Sequence, residues 1–336
     1  MFAKKVKIFL ICCAVIVCNF YFTPITENGV FTSSNLMALP QKVFLGGDVV
    51  GFEYQSVGVL VTSNEKNLVK KNRIQAGDII IKINDLDVNT AEEISTALNG
   101  DNAGEDVKLT LIRDDKKMVL DFTPTFDIFA NEYKLGVWVK DTVSGIGTVT
   151  YITHDNKFGA LGHPISDSST GKNLSVKTGK VYNCNILGIN RGGRGVPGEL
   201  RGVISKRNVI GAVKKVNEFG VYGNVDSNFV SDKKLIDIGG RKVAKPGKAV
   251  IYSSIDGKNI KPYNIQIIKT NYQSVSDEKS LVFKITDKEL IEKTGGILQG
   301  MSGSPIVQNG KLIGAVTHVF LNDSTKGFGL YIDWMM

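Results

Sequence analysis

Two adjacent stretches decide the fold of the C-terminal half: GILQGMSGSPIV at residues 296–307 and NGKLIGAV at residues 309–316. A serine flanked by glycines can lie on a tight, exposed turn whose backbone N–H groups point into a cleft. The Asn309-Gly310 pair favours a two-residue β-hairpin, which would return an apolar strand beneath that turn. The two stretches therefore predict an exposed serine turn followed by a strand, a hairpin and a second strand.

The sequence around Ser302 resembles the nucleophile segment of trypsin-like peptidases, whose Gly-Asp-Ser-Gly-Gly-Pro motif corresponds here to Gly-Met-Ser-Gly-Ser-Pro. Proline lies three residues after the nucleophile in that motif, so the register selects Ser302, and Ser304 replaces a glycine. For the hexamer alone, a Gly/Ser turn without chemistry is the alternative, and the strand and hairpin that follow argue against it. The G-x-S-x-G motif of α/β-hydrolases does not match, because residue 304 is serine.

A serine hydroxyl needs a general base, and the chain has only three histidines, His154, His163 and His318. His163 lies in the sequence Gly-His-Pro-Ile, after a predicted strand and more than a hundred residues before the serine, as the base of a trypsin-like domain does. His154 is predicted to be an exposed turn residue, and His318 to be a packed or surface residue of the strand after the nucleophile. His163 is therefore the predicted base.

The third member of such a triad is an acid that accepts the Nδ1–H of the base, fixes its tautomer and stabilises the imidazolium. The candidates between the base and the serine are Asp226, Asp232, Asp237, Asp256, Asp277 and Asp287. In trypsin-like enzymes the acid comes about midway, which favours Asp226 or Asp232. Spacing alone leaves this choice open.

Residues 41–125 show a pattern of their own. The sequence Ala-Gly-Asp-Ile-Ile at residues 76–80 predicts a turn that enters a strand, and residues 107–113 alternate as a half-buried strand does. Between them, Thr90 is placed to cap a short helix, with Glu93 completing a capping box. A small domain of strands and one helix follows from these signals.

This order of elements resembles a PDZ domain of the bacterial type. Such a domain binds a peptide as an extra strand beside a groove and holds its terminal carboxylate with backbone N–H groups. The resemblance places the carboxylate loop at residues 48–52, with Val50, Gly51 and Phe52 as peptide-binding residues. Another small β-rich domain is the alternative.

Residues 126–336 form the predicted peptidase domain. Many glycine-containing turns and little helical periodicity favour an antiparallel double sheet or double barrel, so the chain as a whole is predicted to be mainly β. The best helix candidate in this part is residues 287–293. The predicted strands are residues 133–139, 146–152, 248–253, 263–268, 282–285, 304–307 and 312–319.

Composition excludes several classes of function. With 41 Lys+Arg against 33 Asp+Glu, the net charge of +8 is modest for 336 residues. No aromatic residues interleave with the basic cluster at residues 241–248, so nucleic acid is not an expected partner. Three scattered histidines and no C-x-x-C pair give no metal site, and no cofactor is expected. Cys184, alone after the first twenty residues, is predicted to be a small buried residue.

The N-terminus is typical of an export signal. Lys4, Lys5 and Lys7 precede an apolar stretch of about fifteen residues, which is short for a spanning helix of ~20 residues. Residues 1–24 are therefore predicted to be a cleaved signal or a retained membrane anchor, and the mixed polar residues 25–40 a linker.

Taken over its whole length, the chain resembles the stage IV sporulation protein B (SpoIVB) peptidase family. The resemblance rests on the order of export signal, PDZ domain and peptidase, on the His163 and Ser302 motifs, and on residues 144–152, 191–200 and 294–300. It implies that the acid is Asp287, about fifteen residues before the serine, and that no cofactor is used. The N–H groups of Gly300 and Ser302 are expected to form the oxyanion hole.

The resemblance further implies a serine endopeptidase exported from the forespore into the space between the two membranes. It would cleave itself and a membrane-bound regulator, and so trigger activation of the late mother-cell sigma factor. The PDZ domain would bind a peptide end and time that cleavage. The alternatives are a PDZ adaptor with an inactive peptidase-like domain and a general quality-control protease of the cell envelope.

Overall fold

The computed structural model describes residues 41–64, 74–165, 170–171, 176–193 and 195–336. The predicted export signal at residues 1–24 and linker at residues 25–40 lie outside these ranges. A membrane-crossing helix would need a longer apolar stretch than any helix in the described ranges has.

Extended strands form most of the described chain. They are β1 Lys42–Leu45, β2 Val49–Asn64, β3 Ile79–Ile83, β4 Leu86–Asp87, β5 Val107–Arg113, β6 Lys116–Phe122, β7 Thr125–Asp127, β8 Glu132–Lys134, β9 Val137–Ile152, β10 Lys157–Ala160, β11 Val176–Asn190, β12 Gly198–Asn217, β13 Gly220–Val225, β14 Leu235–Ile238, β15 Gly247–Ser253, β16 Lys261–Thr270, β17 Leu281–Ile285, β18 Leu298–Gln299, β19 Pro305–Gln308, β20 Lys311–Phe320 and β21 Asp323–Tyr331. The helices are α1 Ala91–Leu98, α2 Gly240–Val243, α3 Lys288–Thr294 and α4 Ile332–Met335, with a 3₁₀ turn at Ser227–Phe229.

Six strand segments close into a first antiparallel barrel. The N-terminal half of β2 pairs with β9 and β11, and the ring is completed by β10, β13 and β12 in that order from β9. Apolar side chains fill its interior, among them Phe52, Val149, Phe158, Val181 and Val221. Each segment has a neighbour on both sides, which satisfies the backbone hydrogen bonds of the barrel wall.

A second antiparallel barrel follows in the chain. Its strands close in the order β15, β16, β17, β21, β20 and β19, and β19 pairs back to β15. Its core includes Ile251, Ile265, Phe283, Met301 and Val316. The parallel pairs β12–β18 and β14–β20 join the two barrels. The predicted double barrel is confirmed.

The hairpin between β19 and β20 forms where the sequence predicts it. Asn309 and Gly310 have φ angles of 50° and 73°, the left-handed conformation that a two-residue turn of this type requires. Cys184 is buried, as predicted, and is a free thiol.

Between the strands of the first barrel, the chain builds a smaller domain with its own core. The C-terminal half of β2 pairs with β3, which pairs with β5, and β5 pairs with β6. Helix α1 packs its Ile94 and Leu98 side chains on this sheet. The predicted capping box is confirmed, because the Glu93 N–H donates to the Thr90 hydroxyl and the Thr90 N–H donates to the Glu93 carboxylate, both at 3.1 Å.

The Gly-Asp turn before β3 has a clear physical role. Gly77 has a φ of 94°, and the carboxylate of Asp78 is buried. That carboxylate accepts two hydrogen bonds of 2.7 Å from Arg113 and one of 2.7 Å from the Gln75 N–H. A buried charge needs such partners, so the ion pair ties the turn to the end of β5.

The structure corrects the predicted position of the carboxylate loop. Val50, Gly51 and Phe52 lie in the middle of β2 and pair with β9 on one side and β11 on the other. Val50 and Phe52 point into the core of the first barrel and are 1% exposed. A strand with both edges paired cannot accept a peptide as an additional strand, so these residues are not a peptide-binding loop. Strand pairing thus joins residues 42–55, assigned from sequence to the PDZ domain, to the peptidase barrel.

Candidate active site

Ser302 lies in the turn between β18 and β19, and strand β9 of the first barrel holds that turn in place. The Thr148 N–H donates to the Ser302 carbonyl at 2.9 Å, and the Thr148 hydroxyl donates to the Gly300 carbonyl at 2.7 Å. The Thr150 hydroxyl donates to the Gly303 carbonyl, also at 2.7 Å. Three hydrogen bonds from one strand therefore fix the backbone around the serine.

Glycine at position 303 makes this close approach possible. Gly303 has a φ of 93°, and a Cβ atom there would lie 2.0 Å from the carbonyl oxygen of Thr148. No larger residue fits without displacing the turn. This steric constraint explains why glycine follows the serine in the motif.

The two serines of the motif have different environments. Ser302 is partly exposed and lines a cleft. Ser304 is fully buried, and its hydroxyl has no hydrogen-bond partner among the described residues. Only the hydroxyl of Ser302 is accessible to a substrate, which supports the register that selects it as the nucleophile.

The backbone N–H groups of Gly300 and Ser302 are available to a ligand. Neither has a hydrogen-bond partner among the described residues, although the N–H of the intervening Met301 donates to the Leu298 carbonyl at 3.1 Å. Gly300 adopts a φ of 98°, and the Gly300 and Ser302 carbonyls are held by Thr148. Two free N–H groups at the nucleophile are what an oxyanion hole requires.

His163 lines the same cleft as Ser302. It follows Leu161 and Gly162, whose φ angles of 70° and 69° turn the chain sharply after β10. Its Nδ1 atom lies 2.7 Å from the Pro164 carbonyl, and because a carbonyl only accepts, Nδ1 carries the proton. Nε2 is then unprotonated, which is the tautomer that a general base needs.

Burial lowers the pKa of His163 below its usual value, and the Pro164 carbonyl and the Glu278 carboxylate act in the opposite direction. The lowered pKa favours the neutral imidazole, which is the form that can take a proton.

Ser302 and His163 do not hydrogen-bond to each other in this structure. The Ser302 hydroxyl donates to the Thr317 carbonyl at 3.0 Å, while the His163 imidazole bonds to the Pro164 carbonyl. The hydroxyl must leave Thr317 to give its proton to His163. Catalytic hydrogen bonds of this kind often form only when a substrate is bound.

The structure places Asp287, the acid implied by the family resemblance, in a different role. Asp287 is the N-cap of α3, where its carboxylate accepts from the Leu290 N–H at 3.0 Å. The same carboxylate accepts from the Asn264 N–H at 3.2 Å, and none of its hydrogen bonds among the described residues is to His163. The other sequence candidates, Asp226, Asp232, Asp237, Asp256 and Asp277, do not hydrogen-bond to the imidazole in the described residues either.

Glu278, which is not among the aspartates that spacing offers, is the carboxylate whose charge reaches His163, without a hydrogen bond between them among the described residues. Its negative charge raises the pKa of the imidazole. Its backbone carbonyl accepts from the Thr317 hydroxyl at 3.0 Å, and the Thr317 carbonyl accepts from Ser302. Two hydrogen bonds thus connect the Glu278 backbone to the nucleophile.

His318 lies beside the base, with 5.4 Å between the ring centroids of His163 and His318. Its Nδ1 atom is buried without a hydrogen-bond partner in the described residues. Burial, followed by the charges of His163 and Lys279, lowers the pKa of His318 to about 4. A neutral imidazole at this place adds no positive charge next to the base. His154 is exposed, as predicted, and contacts the ring of Phe44.

The cleft has a volume of about 880 Å³ and is mainly apolar. It runs between the barrels, from Tyr54 and Ile146 on the first to Val319 and Leu321 on the second. Such a groove can hold an extended peptide with a scissile bond at Ser302. Among the described residues, no three His, Cys, Asp or Glu side chains are grouped to hold a metal ion.

Comparisons with known proteins agree with this geometry. The family model for SpoIVB peptidase S55 matches residues 131–336, and a PDZ domain model matches residues 43–123. The chain matches no curated protein.

Three solved structures are similar at low identity. The PDZ domain of the SdrC-like protein from Listeria monocytogenes is 23% identical, covering 25% of this chain and 90% of that one, with a TM-score of 0.23. The active form of the Rv3671c protease from M. tuberculosis is 14% identical, covering 57% and 70%, with a TM-score of 0.34. The HtrA-type protease AlgW with a decapeptide is 10% identical, covering 86% and 61%, with a TM-score of 0.35.

These TM-scores are too low for the three structures to identify the chain, and the family match does so instead. That match covers more than half of the 336 residues and includes both Ser302 and His163. The chain is a serine peptidase with a PDZ domain, and it belongs to the SpoIVB peptidase S55 family.

Proposed function

We propose that this peptidase is a signalling endopeptidase of spore formation that cleaves itself and one membrane-bound regulatory protein. The observation that carries the proposal is the convergence of Ser302, His163 and two free backbone N–H groups in one cleft. Membership in the SpoIVB peptidase family supports the sporulation role.

In the proposed mechanism, the Ser302 hydroxyl leaves the Thr317 carbonyl and attacks the scissile carbonyl carbon while His163 Nε2 takes its proton. The N–H groups of Gly300 and Ser302 stabilise the oxyanion, each contributing ~10²–10³ in rate. The imidazolium then gives the proton to the leaving amine, and water hydrolyses the acyl-enzyme by the same route. Glu278 supplies the negative charge that stabilises the imidazolium.

The proposed biological context follows from the family and from the N-terminal sequence. A basic start followed by an apolar stretch supports export across the forespore membrane, with retention at a membrane or release from it. In the space between the two membranes, cleavage of the regulator would allow activation of the late mother-cell sigma factor.

A fluorophosphonate probe tests the chemistry directly, because it labels only an activated serine. The full chain is compared with Ser302→Ala, His163→Ala and Ser304→Ala, and each sample is also followed on a gel for self-cleavage. We expect labelling and self-cleavage to be lost in the first two variants. Ser304→Ala is the matched control, since its side chain is buried, and it should be labelled like wild type.

Two results would contradict the proposal. Labelling that persists in Ser302→Ala would assign the nucleophile elsewhere. Degradation of unfolded casein at many sites by the wild type would favour a general quality-control protease, because a signalling peptidase should cut few sites.

A further inference from the structure

The catalytic cleft contains one acidic side chain that the mechanism does not use. Among the described residues that line the cleft, Glu199 is the only Asp, Glu, Lys or Arg. Its side chain is exposed, while the cleft around it is mainly apolar. A carboxylate at the edge of an apolar groove can select substrates by their charge, provided that it lies near the reacting bond and is free to pair.

Strand pairing places Glu199 close to the oxyanion hole. Glu199 lies at the beginning of β12, in register with Gln299 of the parallel strand β18, and Gln299 directly precedes Gly300. The next residue of β12, Leu200, packs on Gly300: its Cβ atom lies 3.2 Å from the position that a Cβ of residue 300 would take. One strand spacing and one residue along the chain therefore separate Glu199 from Gly300, a Cα distance of at most roughly 9 Å.

The carboxylate of Glu199 is held by one hydrogen bond and keeps one oxygen free. Asn190, its partner in the β11–β12 ladder, donates its side-chain amide to Oε1 at 2.6 Å. Among the described residues nothing donates a hydrogen bond to the other oxygen, and no Lys or Arg forms an ion pair with Glu199. Because the hydrogen bond already orders the side chain, less conformational freedom is lost when the free oxygen pairs with a substrate cation.

Apolar side chains surround the oxyanion hole itself. Ile146 of β9 and Leu200 of β12 both pack on Gly300, 3.4 and 3.1 Å from the position of a Cβ there. On the second barrel, Val319 and Leu321 line the same cleft. A substrate side chain next to the scissile bond therefore meets hydrocarbon, and a charged group at that position would lose hydration without gaining a partner.

We propose that Glu199 determines which substrates this peptidase selects: polypeptide segments with an apolar residue at the scissile bond and a Lys or Arg nearby. About three extended residues span ~10 Å, so a basic side chain within that distance reaches Glu199 while the scissile bond lies at Ser302. The inference rests on the proposed peptidase activity and adds the class of peptide bond that is cut. The preference opposes the charge of the whole chain, because a net charge of +8 favours acidic peptides if long-range attraction decides.

Cleavage of peptides by the full chain tests this selection. A randomised library of ten-residue peptides is incubated with the protein, and the cut positions are read by mass spectrometry. The best-cut peptide is then made with Lys, Gln or Glu at its preferred basic position, and the three initial rates are compared. We expect the Lys peptide to be cut at least fivefold faster than the Glu peptide, because an attraction replaces a repulsion. In about 1 M salt, where the Debye length is ~3 Å, the ratio of the two rates should fall towards one.

Substitutions at residue 199 locate the selection. Glu199→Gln keeps the size of the side chain and removes its charge, so the Lys and Glu peptides should be cut at rates within about twofold of each other. Glu199→Asp should retain the preference for Lys, and Glu199→Lys should reverse it. Glu218→Lys is the matched control, because Glu218 is also exposed and directly follows β12 but does not line the cleft, so its ratio should equal that of wild type. Each comparison is a ratio within one protein, so a change in overall activity does not affect it.

The selection by Glu199 is overturned if wild type cuts the Lys and Glu peptides at equal rates, or cuts the Glu peptide faster. It is also overturned if Glu199→Lys and Glu218→Lys change the ratio equally, or if polar residues are preferred at the scissile bond. Failure of the proposed function gives a different result: a wild type that cuts no peptide and is not labelled by the fluorophosphonate probe contradicts the peptidase itself, and the selection with it.

Discussion

The role of Asp287 separates two accounts of the active site, because family resemblance makes it the orienting acid and the structure makes it a helix cap. Its carboxylate accepts from the Leu290 N–H at 3.0 Å, in the first turn of α3, and from the Asn264 N–H at 3.2 Å. The perturbation is a pair of substitutions, Asp287→Asn and Asp287→Ala. Asparagine keeps an oxygen at the capping position, and alanine removes it.

The two accounts predict very different magnitudes. Asparagine caps a helix about as well as aspartate, while alanine costs ~1 kcal/mol. In a chain of this size that cost lowers the melting temperature by roughly 2–4 °C. If Asp287 oriented the base, Asp287→Asn would instead stabilise the wrong tautomer and reduce the rate by ~10⁴.

The assay measures two quantities on the same samples: the second-order rate constant for labelling by a fluorophosphonate probe, and the melting temperature. We expect Asp287→Asn to match wild type in both. Asp287→Ala should melt a few degrees lower and still be labelled at a wild-type rate when the measurement is made well below its melting temperature. If folded Asp287→Asn is labelled a thousandfold or more slowly than wild type, Asp287 does more than cap the helix, and the reasoning is refuted.

Two further predictions concern the same molecule. Glu278→Gln removes the negative charge that raises the pKa of His163 and stabilises the imidazolium. The maximal labelling rate should therefore fall about tenfold or more, and the acidic limb of the pH–rate profile should move to lower pH. An unchanged profile would contradict the role of Glu278. Gly303→Ala places a Cβ atom 2.0 Å from the Thr148 carbonyl oxygen and should abolish labelling. Gly310→Ala is the control, because residue 310 also has a left-handed φ, 73°, but no atom lies within 4 Å of its Cβ. The control should be labelled like wild type and melt only slightly lower.

The sequence predicts local structure best at positions where the backbone conformation or a hydrogen bond requires one type of residue. The Asn309-Gly310 hairpin, the Thr90–Glu93 capping box and the Gly-Asp turn at Asp78 are local signals, and the structure confirms each of them. Local motifs also predict Ser302 and His163 as nucleophile and base; the structure brings both to one cleft, and their catalytic roles stay a prediction.

The errors arose where the sequence signal is weak or where a strand passes between domains. Strands β11 and β12 are long, but most of their side chains are at least partly exposed, so they lack the apolar alternation that reveals a strand. The sequence predicts one strand over residues 133–139, and the left-handed Gly136 divides them into β8 and the start of β9. The carboxylate loop was misplaced because one strand, β2, serves two domains.

Two strands belong to both the PDZ domain and the first barrel. Strand β9 runs from Val137, which packs on the PDZ core, through Ile146 in the cleft, to Thr148 at the nucleophile turn. Strand β2 runs beside it, from the first barrel into the PDZ sheet. The register of the pair shifts between Gln55 and Leu60 and again between Val61 and Ser63, which marks the place where the ladder leaves the barrel. The sequence signals of a domain boundary are turns and polar linkers, and two strands that cross the boundary in extended conformation give neither, so the separate PDZ domain predicted over residues 41–125 has its first strand in the barrel wall.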